Sequence, residues 1–288
     1  MNALELIAEN IKNKNLDKAL ELCKLNENSN DKSIIFNFIG VIHFMKKNLA
    51  EAEKFFLKVI EIDDKFQDPI RNLCVIYAIT KKFQKLLNYS GKLYNLDNKN
   101  PLNIFQIGSA NELNKNYDDA IKYYEKYINT NGSDKKRGFN NIGNIFLRKG
   151  KPRTSIKYFS KALELDNNNK ILINNILLCY LSLRDENKSE EYFKKAETID
   201  SNYIEFLHNK AEYLILKNQL DEAKKILENN KGITKFLITL IRLYFNSGQI
   251  NKGNELLNQS REILKNNSDF YNYLGIRYLS EGNFDEGW

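Results

Sequence analysis

Residues 140–163 read NNIGNIFLRKGKPRTSIKYFSKAL: an amphipathic helical pattern carrying Gly143 near its start, where glycine costs about 1 kcal/mol relative to alanine in a helix interior. The stretch recurs along the chain. FNFIGVIHFMKKNLAEAEKFFLKVIEID at 36–63, IFQIGSANELNKNYDDAIKYYEKYI at 104–128 and FYNYLGIRYLSEGNFDEGW at 270–288 align with it, and Gly40, Gly108, Gly143 and Gly275 fall on one position. Weaker copies fill the intervals, giving starts near residues 1, 33, 67, 101, 136, 170, 204, 234 and 268. The step is about 34 residues, with one shorter step before 234.

Within each copy the apolar positions follow helical spacing. Phe36, Ile39, Gly40 and His43, or Phe139, Ile142, Gly143 and Phe146, lie at i, i+3, i+4 and i+7 and define one face of a first helix, A. Ala52, Phe56 and Val59, Ala120, Tyr124 and Tyr127, Ser155, Phe159 and Ala162, and Ser189, Phe193 and Ala196 do the same for a second helix, B. Glycines at 150, 248 and 282 mark the intervening turn, where a left-handed residue ends a helix. Gly143 is then a packing position: a side chain there would hold A and B apart, and filling it should cost about 1–3 kcal/mol against the aromatic sixteen residues on.

A period of 34 with a large apolar residue, then Leu/Ile-Gly, an aromatic, and Ala-x3-Phe resembles the tetratricopeptide repeat family over essentially the whole chain. That resemblance implies an all-α, right-handed superhelical solenoid of antiparallel helix pairs, a single domain over residues 1–288 with eight full repeats and a partial ninth. There are departures. The family's tryptophan at position 4 is absent, and the proline near position 32 is replaced by the turn formers Asp64, Asn98, Gly132, Asn167 and Ser201. Repeat three carries Leu86 and Ser90 in place of Ala and an aromatic, and repeat seven has Lys210 at an apolar position and is shortened, so irregular stacking is expected at both. The ninth repeat stops at Trp288, a few residues into helix B, which leads us to expect either more chain or a covering partner.

The same resemblance places positions 2, 5, 6, 9, 12 and 13 of helix A on a concave groove that binds extended peptides. Position 6 reads Phe38, Asn72, Gln106, Asn141, Asn175, Asn209, Thr239 and Tyr273, so five consecutive side-chain amides stand in register. An amide offers an acceptor and two donors and can pair with both groups of a peptide backbone, reading backbone and not sequence. Arg71, Arg137, Asn144, Arg148 and Arg242 complete the candidate groove. The ladder resembles that of the O-linked N-acetylglucosamine transferase superhelix, while the richness of this chain in asparagine leaves compositional background as the alternative. The carboxylate clamp of chaperone-tail adaptors is matched only in part, by Arg71, Gln106 and Arg137, with Val75 and Asn141 where Asn and a basic residue belong.

Other classes find less support. The net charge of +7 and the cluster Lys135, Lys136, Arg137 invite an RNA-binding reading. Yet groove cations, Lys235 among them, are offset by Asp68, Glu112, Glu205, Glu212 and Asp269, and no continuous basic stripe results. His43 and His208 lie five repeats apart, Asp118-Asp119 and Asp285-Glu286 suit the start of a helix B, and no phosphate loop or nucleophile elbow occurs. Neither catalysis within residues 1–288 nor a metal or cofactor is expected. Cys23, Cys74 and Cys179 are too scattered for a disulfide framework or zinc site and read as core residues. With no apolar run of membrane length and no targeting signal at the N-terminus, a cytoplasmic protein is expected. The leading expectation is a scaffold that binds an extended segment of a protein partner. The alternatives are the substrate-recruiting N-terminal region of a bacterial glycosyltransferase or sulfotransferase, suggested by the ending EGNFDEGW, and a helical-repeat RNA binder.

Overall fold

The computed structural model describes residues 2–265, 267, 270, 271 and 273–275. Gly282, Asp269, the Asp285-Glu286 pair and the incomplete helix ending at Trp288 lie outside the described residues. Sixteen α-helices are defined among them, with no strand. They fall into two compact units, Met1–Lys149 and Gly150–Trp288. In the first, helices A and B alternate as α1 (Ala3–Lys12) and α2 (Leu16–Leu25), α3 (Lys32–Met45) and α4 (Leu49–Ile62), α5 (Gln67–Ile79) and α6 (Phe83–Leu96), α7 (Pro101–Leu113) and α8 (Tyr117–Ile128); α9 (Lys135–Arg148) closes it. The second opens with α10 (Pro152–Glu164) and continues as α11 (Lys170–Ser182) and α12 (Glu186–Ile199), α13 (Ile204–Leu216) and α14 (Leu220–Asn229), α15 (Thr234–Asn246) and α16 (Ile250–Leu264). Every A helix begins within about three residues of the start read from the repeat. Each helix packs on its predecessor within its unit, and successive A helices also touch, α1 with α3, α3 with α5, α11 with α13 and α13 with α15. The fold class is thus an all-α helical-repeat solenoid.

The glycine in helix A is set by contact distance. A Cβ on Gly40 would lie 2.6 Å from Cε1 of Phe56, and one on Gly108 would lie 2.9 Å from Cε1 of Tyr124. Both rings are fully buried, as are Ala52 and Ala120 one helical turn earlier. Gly143 is likewise buried in α9. Repeat three solves the same problem with two small polar groups. Cys74 stands at the glycine position and Ser90 at the aromatic one, their Sγ and Oγ 3.5 Å apart, and burial pushes the Cys74 thiol up to about 11. Leu86 is buried beside them, so the expected irregularity is absorbed by matched side chains. In repeat six a leucine, Leu177, fills the glycine position, and Phe193 turns instead onto the next repeat, stacking on Tyr213 with centroids 4.5 Å apart. Lys210 reaches back from α13 to Glu197 of α12 at 2.9 Å.

The turns depart from expectation in chemistry, not in place. Gly150 and Gly248 have φ of +66° and +76°, but the equivalent residues elsewhere are Lys14, Lys47, Lys81, Lys115, Arg184 and Asn218, with φ between +54° and +63°. A 6→1 hydrogen bond imposes this conformation: Asn48 N–H donates to the His43 carbonyl at 2.9 Å and Lys47 N–H to Phe44 at 2.9 Å, with the six-to-one bond repeated at Asn15, Lys82, Asn116, Asp185, Gln219 and Gln249. Between repeats, Asp63, Asp97 and Asp200 accept from backbone N–H groups two residues on at 3.0, 3.1 and 3.2 Å, one residue earlier than the turn formers read from the sequence. All three cysteines are buried and unpaired.

Candidate functional site

The A helices carry the candidate residues, and in the first unit most of these are tied into the protein. Arg71 on α5 donates to Asp68 at 3.0 Å, Gln67 at 2.7 Å and, from the same Nη2, the side-chain Oδ1 of Asn103 at 3.2 Å. Asn103, fully buried on α7, in turn donates to the carbonyls of Leu93 and Asp97 at the end of α6. The position-6 ladder overlooked this amide because it stands at repeat position 3. Arg137 lies over the Phe105 ring, its guanidinium carbon 3.8 Å from the centroid. Arg148 on α9 donates to Glu112 Oε1 at 2.9 Å, while the Tyr124 hydroxyl donates to Glu112 Oε2 at 2.7 Å and lies 3.1 Å from Ser109 Oγ. Asn141 also hydrogen-bonds the Tyr124 hydroxyl. Gln106 reaches the Cys74 thiol, and Asn72, Gln106 and Asn144 are half-buried.

In the second unit the ladder changes character. Asn175 is half-buried, but Asn209 is only 3% exposed, and its amide donates to the Asn174 carbonyl at 3.1 Å and to Asn174 Oδ1 at 2.9 Å. It faces α11 rather than an open groove, because burying an amide without these partners would be costly. Thr239, the next position along, is also 3% exposed.

Beside it a cavity of about 590 Å³ opens among α11, α13 and α15. Leu178, Leu181 and Ile215 give it an apolar wall, Arg184, Glu212 and Arg242 give it charge, and His208 adds a polar ring. His208 Nε2 lies 3.0 Å from Thr239 Oγ1, which donates to Glu212 Oε1 at 3.1 Å. Arg242 approaches Glu212 at 3.8 Å and keeps 43% of its side chain exposed, leaving donors for another group. Burial holds the His208 imidazole below its usual range; Lys235 and Arg242 act in the same sense, while the Glu212 charge and the Lys235 carbonyl oppose them. The repeat pattern flagged Arg242 and His208 singly; nothing in it paired them with Arg184, which enters from the turn after α11.

Among the described residues no helix is long and apolar enough to cross a membrane, and no three His, Cys, Asp or Glu side chains gather as metal ligands.

Sequence models of the tetratricopeptide repeat match residues 35–66, 103–134, 137–169 and 172–203. Anaphase-promoting complex subunit 3 of Schizosaccharomyces pombe is 26% identical over 126 residues, 44% of this chain, and the match spans only 19% of that protein. A tetratricopeptide repeat protein from Parabacteroides merdae superposes with a TM-score of 0.66 at 16% identity, over 84% of this chain and 97% of that one. The C-terminal part of a repeat protein of the same kind from Cytophaga hutchinsonii gives 0.64 at 17% identity, over 80% and 95%. Those two likenesses are of fold alone. Four segments thus match the tetratricopeptide repeat, and the helix pairs between and beyond them keep the same period of about 34 residues, so the chain is similar to that family along its described length.

Proposed function

We propose that this protein is an interaction scaffold that holds an extended segment of a partner protein across its A helices. The observation that carries the reading is the row of half-buried amides at one repeat position, Asn72, Gln106 and Asn141, on successive A helices of the first unit. Asn141 uses part of its capacity on Tyr124, and a side-chain amide has donors and an acceptor to spare. Such groups pair with peptide backbone, so broad specificity and moderate affinity follow: each rung contributes about 0.5–1.5 kcal/mol, and ordering of the bound segment offsets much of it.

Titration of a panel of disordered peptides against the wild-type chain and against Asn72→Ala combined with Gln106→Ala tests this. The double variant should bind about tenfold more weakly, corresponding to about 1.4 kcal/mol. Unchanged binding would remove the amide row from the interaction.

A further inference from the structure

We infer that the cavity among α11, α13 and α15 takes a side-chain carboxylate of the bound segment, an Asp or Glu beside a branched apolar residue. The inference rests on the reading of the A helices as a peptide-binding face and names what one part of that face selects.

The charge balance of the cavity points to an anion. Arg184 and Arg242 stand against Glu212 alone, with His208 neutral between them, and Glu212 is already held by the Thr239 hydroxyl at 3.1 Å and by Arg242 at 3.8 Å. Arg184 pairs with no carboxylate among the described residues. It is held at the rim in the left-handed conformation, φ +54°, by its own N–H to the Leu181 carbonyl at 3.0 Å and the Asp185 N–H to Tyr180 at 3.1 Å. A left-handed arginine is disfavoured relative to glycine, yet the guanidinium is kept at this edge. Two guanidinium forks on one cavity match a carboxylate, which they engage by paired, charge-assisted hydrogen bonds.

The donor count at His208 agrees. Thr239 spends its only proton on Glu212, so its oxygen can only accept, and His208 Nε2 must carry a proton. The charged groups around the ring are Glu212 from its own helix, Lys235 and Arg242 from α15, and Arg184 at the cavity rim, while Glu205 lies 3.8 Å from Lys235. An added carboxylate would offset the cations that now oppose a second proton on the imidazole.

The source is a side chain and not a chain terminus because α13 lies between two A helices it touches, α11 and α15, so a segment crossing the cavity has helix face on both sides. The wall of Leu178, Leu181 and Ile215 beside the arginines favours an apolar neighbour to the acid.

The test titrates the full 288-residue chain with an acetylated, amidated Gly/Ser peptide carrying Leu-Glu pairs, and with its Leu-Gln counterpart, amidated and with a free C-terminus. The Leu-Glu peptide should bind roughly tenfold more tightly than the amidated Leu-Gln peptide, and Arg184→Gly should erase the difference. That variant relieves the left-handed backbone, so it leaves folding intact. Equal binding of the amidated peptides overturns the carboxylate site and leaves the scaffold reading standing. If the free C-terminus rescues Leu-Gln to the level of Leu-Glu, the side-chain source is overturned. If no peptide binds but acetyl-glutamate amide shifts the His208 imidazole resonances, and does so only with Arg184 present, the scaffold reading fails and the site stands. Absence of both effects removes both.

Discussion

The two units meet one packing requirement in opposite ways. In α3–α4 and α7–α8 the A helix yields, offering Gly40 or Gly108 to a fully buried Phe56 or Tyr124. In the second unit the A helix carries a side chain at this position, Leu177, Ala211 or Ile241, all fully buried, and the B helix adjusts. Phe193 leaves for Tyr213, Leu227 replaces an aromatic, and in α16 the glycine itself changes helices: a Cβ on Gly253 would lie 2.4 Å from Cε1 of Phe245. What the repeat conserves is close approach, and the residue that permits it is negotiable. The A-helix surfaces differ in parallel. Arg148, Glu112 and Tyr124 close a hydrogen-bonded network over α7–α9, whereas α11, α13 and α15 leave a charged cavity.

Filling the glycine should break the comparison most sharply. Gly40→Leu adds bulk where even a Cβ meets Phe56 at 2.6 Å, and should cost about 3 kcal/mol or more, read as a fall in denaturation midpoint. Gly40→Ala costs less, because alanine recovers about 1 kcal/mol of helix propensity. Combined with Phe56→Leu it rebuilds the Ala211/Leu227 pair of the second unit, and a double-mutant cycle should show the two changes to be coupled favourably. Additive losses would mean that the two units do not share one packing rule.

The next contrast is between rungs of the same ladder. Asn209→Ala removes both hydrogen bonds to Asn174 from a buried site and should destabilise the protein by about 1–3 kcal/mol. Asn72→Ala, at the same repeat position but half-buried, should stay within about 0.5 kcal/mol and act on peptide binding instead. Thermal melts and peptide titrations of the two variants should therefore rank them in opposite order.

Acid should reach the second unit first. Burial pulls the Glu53 carboxyl upward, but hydrogen bonds from Lys82, Lys85 and Tyr77 outweigh it and hold the group below its usual range. Its contribution is complete above the unfolded value near pH ~4.3 and is lost as pH falls through the lower folded value. His208 is also depressed, by burial, and its unfolded value is near ~6.5. Its stabilising contribution is complete above that pH and falls away as pH drops toward the folded value. Hydrogen exchange on lowering pH should show protection lost at α13 before α4 and α5. His208→Gln should flatten the first phase and Glu53→Gln the second.

These contrasts mark what the sequence could and could not convey. The period and the Gly40/Phe56 and Gly108/Tyr124 pairs were legible because steric exclusion acts at a fixed helical spacing. The difference between Asn72 and Asn209 was not, since repeat position fixes the face of a helix and not whether a neighbouring amide such as Asn174 is close enough to engage it. The cavity was hidden for a related reason: Arg184, His208 and Arg242 come from a turn and two helices roughly 25–35 residues apart, and only packing brings them to one opening. The left-handed lysines were illegible because lysine carries no preference for that conformation; hydrogen bonds after the helix end impose it.

Those lysines supply the smallest contrast. Lys14, Lys47, Lys81 and Lys115 occupy, with φ of +57° to +63°, the turn position that Gly248 occupies at +76° in the second unit. A Cβ in this region crowds the following carbonyl, and glycine relieves it. Lys47→Gly should therefore stabilise the first unit by about 0.5–1 kcal/mol: the relief of strain slightly exceeds the extra chain entropy that glycine brings to the unfolded state and the loss of a cation at a helix C-terminus. Gly248→Lys should cost a similar amount in the second. If chemical denaturation instead finds Lys47→Gly destabilising, the lysine's favourable interaction with the carbonyl end of α3 outweighs the backbone strain, and the choice of lysine at four consecutive turns is explained by charge.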